Sequence, residues 1–150
     1  MILAIDPGNI QSAYVLMDGY TPVQFDKVDN EVLVDLLPSL CVKADEVVIE
    51  MIGHYGSGMS AGKTVFDTCV WIGRFWQQCN GAQLILRPTI KTAICGTPRA
   101  KDSNVIQALK DRFGEKGTKA DKGFFWGFHH DIWQSFAVGC AWLDLHGGTT

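Results

Sequence analysis

Met1-Ile-Leu-Ala-Ile-Asp6-Pro-Gly8-Asn-Ile-Gln-Ser-Ala-Tyr-Val-Leu-Met-Asp18-Gly19 is the stretch on which the fold turns. Apolar residues run without interruption into Asp6, Pro7-Gly8 breaks the run, and a second apolar run from Ala13 to Met17 ends at Asp18-Gly19. An unbroken apolar run closed by Pro-Gly reads as a buried central strand and a turn. A carboxylate at the end of such a strand borders the core, where an unpaired charge is costly. Asp6 therefore needs a donor, a base or a metal, or else it closes the turn through its own backbone.

Asp-Gly between two apolar runs is a hairpin signal, so Tyr20–Val28 forms a third strand in an antiparallel meander. Asn30 caps a helix over Glu31–Cys41, with Val32, Leu33, Leu36, Leu37 and Leu40 as its apolar stripe and Pro38 shortening or kinking it. Ala44-Asp-Glu-Val-Val-Ile-Glu50 repeats the pattern of the first strand, an apolar run ending in an acid. Asp6 and Glu50 thus hold equivalent places, and the ends of neighbouring strands in an open sheet are where sites form. Two such acids raise one another's pKa unless something positive lies between them, and a divalent cation is the natural candidate.

Residues 53–62 read as a loop with four glycines. Gly62-Lys63-Thr64 after it is reminiscent of a phosphate-binding loop, but Ser57 stands where the first glycine belongs. A helix over 63–78 follows, apolar on more than one face, which suggests a core helix or a subunit interface. Gln83–Leu86 is a fifth strand, Thr89–Cys95 a short helix, and a helix from about Ser103 stops at Gly114. Residues 115–127 are rich in Gly and Lys and end in Phe124-Phe125-Trp126. This segment is either a mobile loop that meets phosphates and bases or one anchored by its aromatics. Asp131 stands at or near the start of the last helix, where it can act as an N-cap, be aimed back at the sheet, or both.

The 150 residues predict one domain, 1–150, able to bury about two thirds of its surface. Hydrophobic content of 47% marks a globular chain, and no apolar run reaches the length of a membrane span. No secretory signal is visible, and the five scattered cysteines form no CxxC pair, so reduced thiols and a cytoplasmic setting are expected. The net charge of −3 hides an asymmetry. Residues 87–122 carry nine bases against four acids, +5, which leaves −8 on the rest. That distribution suggests a polyanion-facing surface, although a solvated helix face gives the same count.

The order of elements, with acids closing strands one and four and a third acid opening the last helix, is that of the RNase H-like fold, an α/β fold. Here it comprises a five-stranded mixed sheet, its first three strands antiparallel, flanked by helices. Within that fold the chain resembles the RuvC-like Holliday junction resolvases, of the short phage-associated kind. The residues that carry the likeness are Ile5-Asp6-Pro7-Gly8, Val48-Ile49-Glu50, Ile90-Lys91 through Cys95-Gly96, Arg99-Ala-Lys101-Asp102 and Asp131-Ile-Trp-Gln134-Ser-Phe-Ala-Val138. Together they span essentially the whole chain.

The resemblance implies a metal-dependent endonuclease that nicks four-way or other branched DNA. Asp6, Glu50 and Asp131 would be its catalytic and metal-binding acids. Two Mg²⁺ ions about 4 Å apart, with Mn²⁺ able to substitute, would activate water and stabilise the leaving oxygen. It implies Lys91, Arg99 and Lys101 as DNA contacts, with Lys119 of the basic loop beside them, and a homodimer through the 63–78 helix. The family's fourth acid falls on Gln134, which carries no charge. Three acids then suffice, or His130 or a nearby acid helps, or catalysis is impaired and the protein is a junction binder. A less selective nuclease for branched DNA or RNA–DNA hybrids keeps the same fold. An actin-like ATPase fragment also begins with an apolar strand, Asp and Gly, but one domain and no second phosphate loop argue against it.

Overall fold

Every residue of Ile2–Asp6 is buried, as an unbroken apolar run requires of a strand covered on both faces. The structure, a computed structural model, describes residues 1–53 and 62–147. The described elements are β1 Ile2–Asp6, β2 Gln11–Asp18, β3 Thr21–Asp29, α1 Asn30–Cys41, β4 Glu46–Met51, α2 Lys63–Gln78, β5 Gln83–Leu86, α3 Arg87–Cys95, α4 Asp102–Phe113 and α5 Ile132–His146. The five strands form one sheet in the order β3-β2-β1-β4-β5. β1, β2 and β3 pair antiparallel, and β4 and β5 add in parallel through helical crossovers. This is the mixed α/β architecture of the RNase H-like fold.

Side chains alternate across the sheet, so each central strand feeds two cores. Leu3, Ile5, Tyr14, Leu16 and Ile49 meet Leu33, Leu37 and Leu40 of α1 and Ile72 and Phe75 of α2. Ile2, Ala4, Ala13, Val15, Met17, Val48 and Ile85 face α3, α4 and α5. The second core is tight enough to exclude side chains from one point of α5. A Cβ on Gly139 would stand 2.2 Å from Met17 Sδ and 3.3 Å from Ala4 Cβ. Glycine there lets the last helix lie close on β1 and β2.

Several local expectations are corrected. The N-cap of α1 is Asp29, and Asn30 is its first, buried residue. Pro38 sits inside α1, in the last turn of a helix that still reaches Cys41. The third helix begins at Arg87 rather than Thr89. α2 buries only Ile72 and Phe75 within the chain and leaves Phe66, Val70 and Trp76 exposed, so it is not covered on both sides by its own chain. The aromatics of the 115–127 segment divide. Phe125 is fully buried, Phe124 stacks on Phe113 with centroids 5.2 Å apart, and Trp126 is half-buried. Anchoring by aromatics is therefore the reading that holds. Ser57, and with it the phosphate-loop comparison and most of the 53–62 loop, lies outside the described residues.

Candidate functional site

Parallel pairing of β1 with β4 sets Ile5 opposite Ile49. Asp6 and Glu50 come one residue later on each strand and stand side by side. Both share the alternation of Ala4 and Val48, so both face the α3–α5 layer. Asp6 is 8% and Glu50 6% exposed.

A closed set of hydrogen bonds fixes the turn beyond Asp6. Gly8 N–H donates to Ser12 Oγ at 3.1 Å, Ser12 Oγ–H donates to Asn30 Oδ1 at 2.6 Å, and Asn30 Nδ2 donates to the Gly8 carbonyl at 2.9 Å. The Asn30 N–H adds a bond to the Ile10 carbonyl at 2.9 Å. A Cβ on Gly8 would meet the Gln11 carbonyl oxygen at 2.3 Å, so the turn requires glycine there. Asn30 thus ties the Asp6 turn to the start of α1 instead of capping the helix.

The electrostatics differ between the two acids. Burial first, then the charge of Glu50, push the Asp6 carboxyl well above the usual range; Asp131 and Asp102 add to the rise and Arg87 opposes it. Burial also raises Glu50, but Arg87 pulls against that rise. Arg87 Nη1 donates to Glu50 Oε1 at 2.8 Å, and its Nη2 donates to both oxygens of Asp102 at 3.2 Å. Lys91 Nζ lies 3.2 Å from Asp102 Oδ1. Burial pushes Asp102 up, and Arg87 and Lys91 outweigh it, so its carboxyl falls below the ordinary value. Among the described residues no ion pair is made to Asp6.

Asp131 is the N-cap residue of α5, but its side chain makes no capping bond. It pairs instead with Lys27 Nζ at 2.6 Å. Lys27 belongs to the row Lys27–Ala13–Asp6 across β3, β2 and β1, so this ion pair stands on the face of the sheet that carries Asp6. Gln134 is buried one helical turn beyond Asp131. His130 is exposed and has a φ of 46°, a left-handed backbone uncommon for a side chain of its size.

Of the expected DNA contacts, Arg99, Lys101 and Lys119 are exposed. Lys91 is half-buried and committed to Asp102. A cleft of about 460 Å³ opens beside the acids, lined by Pro7, Glu50, Thr64, Arg87, Lys91 and Pro98.

The donor set, carboxylate oxygens with Asp6 lacking a cation, suits a hard divalent ion. Its arrangement is incomplete: among the described residues no three His, Cys, Asp or Glu side chains stand together as a metal-holding group. Arg87 holds Glu50 and Lys27 holds Asp131. Sequence reasoning did not assign Arg87, Asp102 or Lys27 to the site. Arg87 was visible only as a base of the basic segment, and Asp102 as the last residue of the Arg99-Ala-Lys101-Asp102 stretch that carries the resemblance, with no site role.

The fold is similar to that of RuvC. The Thermus thermophilus RuvC structure is similar to this chain with a TM-score of 0.61 and 12% identity, over 98% of this chain and 96% of that one. T. thermophilus RuvC in complex with Holliday junction substrate is similar with a TM-score of 0.61 and 12% identity, over 93% and 90%. No sequence-family model matches the chain. No curated protein matches it either. Among the described residues no helix is long and apolar enough to cross a membrane.

Proposed function

We propose that this protein is a metal-dependent endonuclease that nicks branched DNA, four-way junctions foremost. The observation that carries the reading is the buried pair Asp6 and Glu50, side by side at the ends of adjacent parallel strands, with no ion pair made to Asp6 among the described residues. Two adjacent buried carboxylates that share one guanidinium cost stability, which points to a role beyond holding the fold together. Asp6, Glu50 and Asp131 would hold Mg²⁺, or Mn²⁺ in its place. When bound, such ions supply an activated water and charge neutralisation at the scissile phosphate. The Gly8–Ser12–Asn30 bonds hold the turn that follows Asp6. Arg99, Lys101 and Lys119 are free to neutralise the DNA backbone, and Lys91 joins them where Asp102 releases it.

Four-way junctions are cut symmetrically by two active sites, so a homodimer belongs to the proposal. The exposed Phe66, Val70 and Trp76 of α2 support that helix as its interface. A cytoplasmic setting agrees with the free thiols.

The expected result is paired nicks on a synthetic four-way junction in Mg²⁺, none in EDTA and few on linear duplex of the same sequence. Junction-independent degradation would instead support a general branched-DNA or hybrid nuclease.

A second reading has its own support. Gln134 supplies no charge, and no three-acid group is assembled among the described residues. A junction-binding protein with weak catalysis fits those facts. Gln134→Asp separates the readings: a large gain in nicking identifies an impaired site, and an unchanged rate shows that the present acids suffice.

A further inference from the structure

We propose that Arg87 is a built-in counter-ion that occupies Glu50 in the metal-free protein and must leave it, pivoting on Asp102, before a divalent cation can take both buried carboxylates. This rests on the reading of Asp6 and Glu50 as a cation site.

The geometry is asymmetric in a way that suits such a handover. One arm of the guanidinium, Nη1, meets the buried Glu50 at 2.8 Å. The other, Nη2, is shared between both oxygens of Asp102 at 3.2 Å each. The Glu50 side chain is 8% exposed, whereas Arg87 is 38% and Asp102 54% exposed. The buried end of the fork is thus where a cation is wanted, and the open end is where the arginine can remain. Room exists for the movement, because Arg87 and Glu50 line the same cleft of about 460 Å³.

Without Arg87 on Glu50, two desolvated carboxylates would face each other with no cation in contact and only the Lys91 charge nearby. With Arg87 in place, only Asp6 is left as a free anionic ligand. Without DNA to supply phosphate oxygens, a single carboxylate holds a hard divalent ion weakly, and a second one strengthens the site. A bound guanidinium and a bound cation on the same carboxylate also repel one another strongly in a poorly solvated site. Arg87 therefore stabilises the empty site and competes with its occupant. Asp102 is the positioning residue that retains the displaced arginine, with Lys91 beside it.

The test is calorimetric titration of Mn²⁺ into the full-length protein without DNA, at about pH 8 so that protons compete less for the carboxylates. Arg87→Gln should bind Mn²⁺ about tenfold or more tightly than wild type, since a repelling charge in contact with the ligand is gone. Arg87→Lys, which keeps the charge, should stay near wild type. Melting without metal should be lower for Arg87→Gln, with a larger rise on adding Mn²⁺. Equal or weaker Mn²⁺ binding by Arg87→Gln, in a protein whose wild type binds Mn²⁺, overturns the inference and leaves the cation site standing. Absence of Mn²⁺ binding in wild type and variant alike overturns the cation site itself. Should Arg87→Gln fail to fold, nitrogen-15 NMR of the wild-type arginine side chains decides: Arg87 signals that shift as Mg²⁺ saturates the site support displacement, and signals that stay fixed at saturation refute it.

Discussion

The expected result of Asp6→Asn, on the proposed nuclease function, is a protein that folds, binds a four-way junction and nicks it at least about a thousandfold more slowly than wild type, the scale on which removing a central electrostatic group acts. The same change stabilises the metal-free protein. Burial first, and Glu50 second, raise the Asp6 carboxyl above its unfolded value of about 3.9. A raised acid contributes to stability fully below that unfolded value, and the contribution is lost as pH rises through the folded value. At neutral pH, above its unfolded value, Asp6 is a burden that asparagine, of nearly the same shape, does not impose. The variant should therefore melt higher than wild type in EDTA at pH 7, with the gap shrinking at pH 4. Added Mg²⁺ should narrow the gap at pH 7 by stabilising wild type alone. Thermal melts at the two pH values, beside nicking and gel-shift assays, check all three parts. A variant that melts lower than wild type at pH 7 would show that Asp6 is a structural acid, satisfied by its turn.

Phe125→Ala is the second large effect, and it is one of stability. Phe125 is fully buried, with ring centroids 4.5 Å from Trp133, 4.8 Å from Phe124, 5.1 Å from Phe128 and 5.5 Å from Phe136. Truncation removes about 3–5 kcal/mol through lost burial and the cavity left behind. Lys119→Ala, on the exposed part of the same segment, should change stability by less than about 0.5 kcal/mol. Urea denaturation of the two variants gives the comparison. A stable Phe125→Ala protein with weakened DNA binding would restore the alternative in which these aromatics stack on bases.

The segment shows how far a sequence can be read. Lysines beside aromatics look alike whether the rings meet nucleotides or a core. The decision rests on the flanking helices: Phe113 of α4 stacks on Phe124, and Phe136 of α5 meets Phe124 and Phe125 edge-on. By contrast, β1, β2 and β4 were legible because strands buried on both faces leave unbroken apolar runs, and their closing acids stand out. The meeting of Asp6 with Glu50 followed from that pattern and is what the β1–β4 register delivers.

Lys27 was hidden for a definite reason. Counting back from the Asp18–Thr21 pair in uniform antiparallel register places Asp26 opposite Ala13. The register shifts between Leu16 and Met17, so that Lys27 takes that place instead. A one-residue shift exchanges the faces of a strand, and it is what brings Lys27 to Asp131. Arg87 was hidden because its role depends on two distant acids. Read along the chain it was one base among nine.

Diffraction from crystals grown or soaked in Mn²⁺, recorded for manganese anomalous scattering, shows directly whether Asp6 and Glu50 hold a cation. An anomalous peak is expected within about 2–2.5 Å of carboxylate oxygens of both Asp6 and Glu50, with Arg87 drawn back toward Asp102. Mn²⁺ bound elsewhere on the protein, with Glu50 still held by Arg87 and no peak beside Asp6, would contradict the proposed cation site.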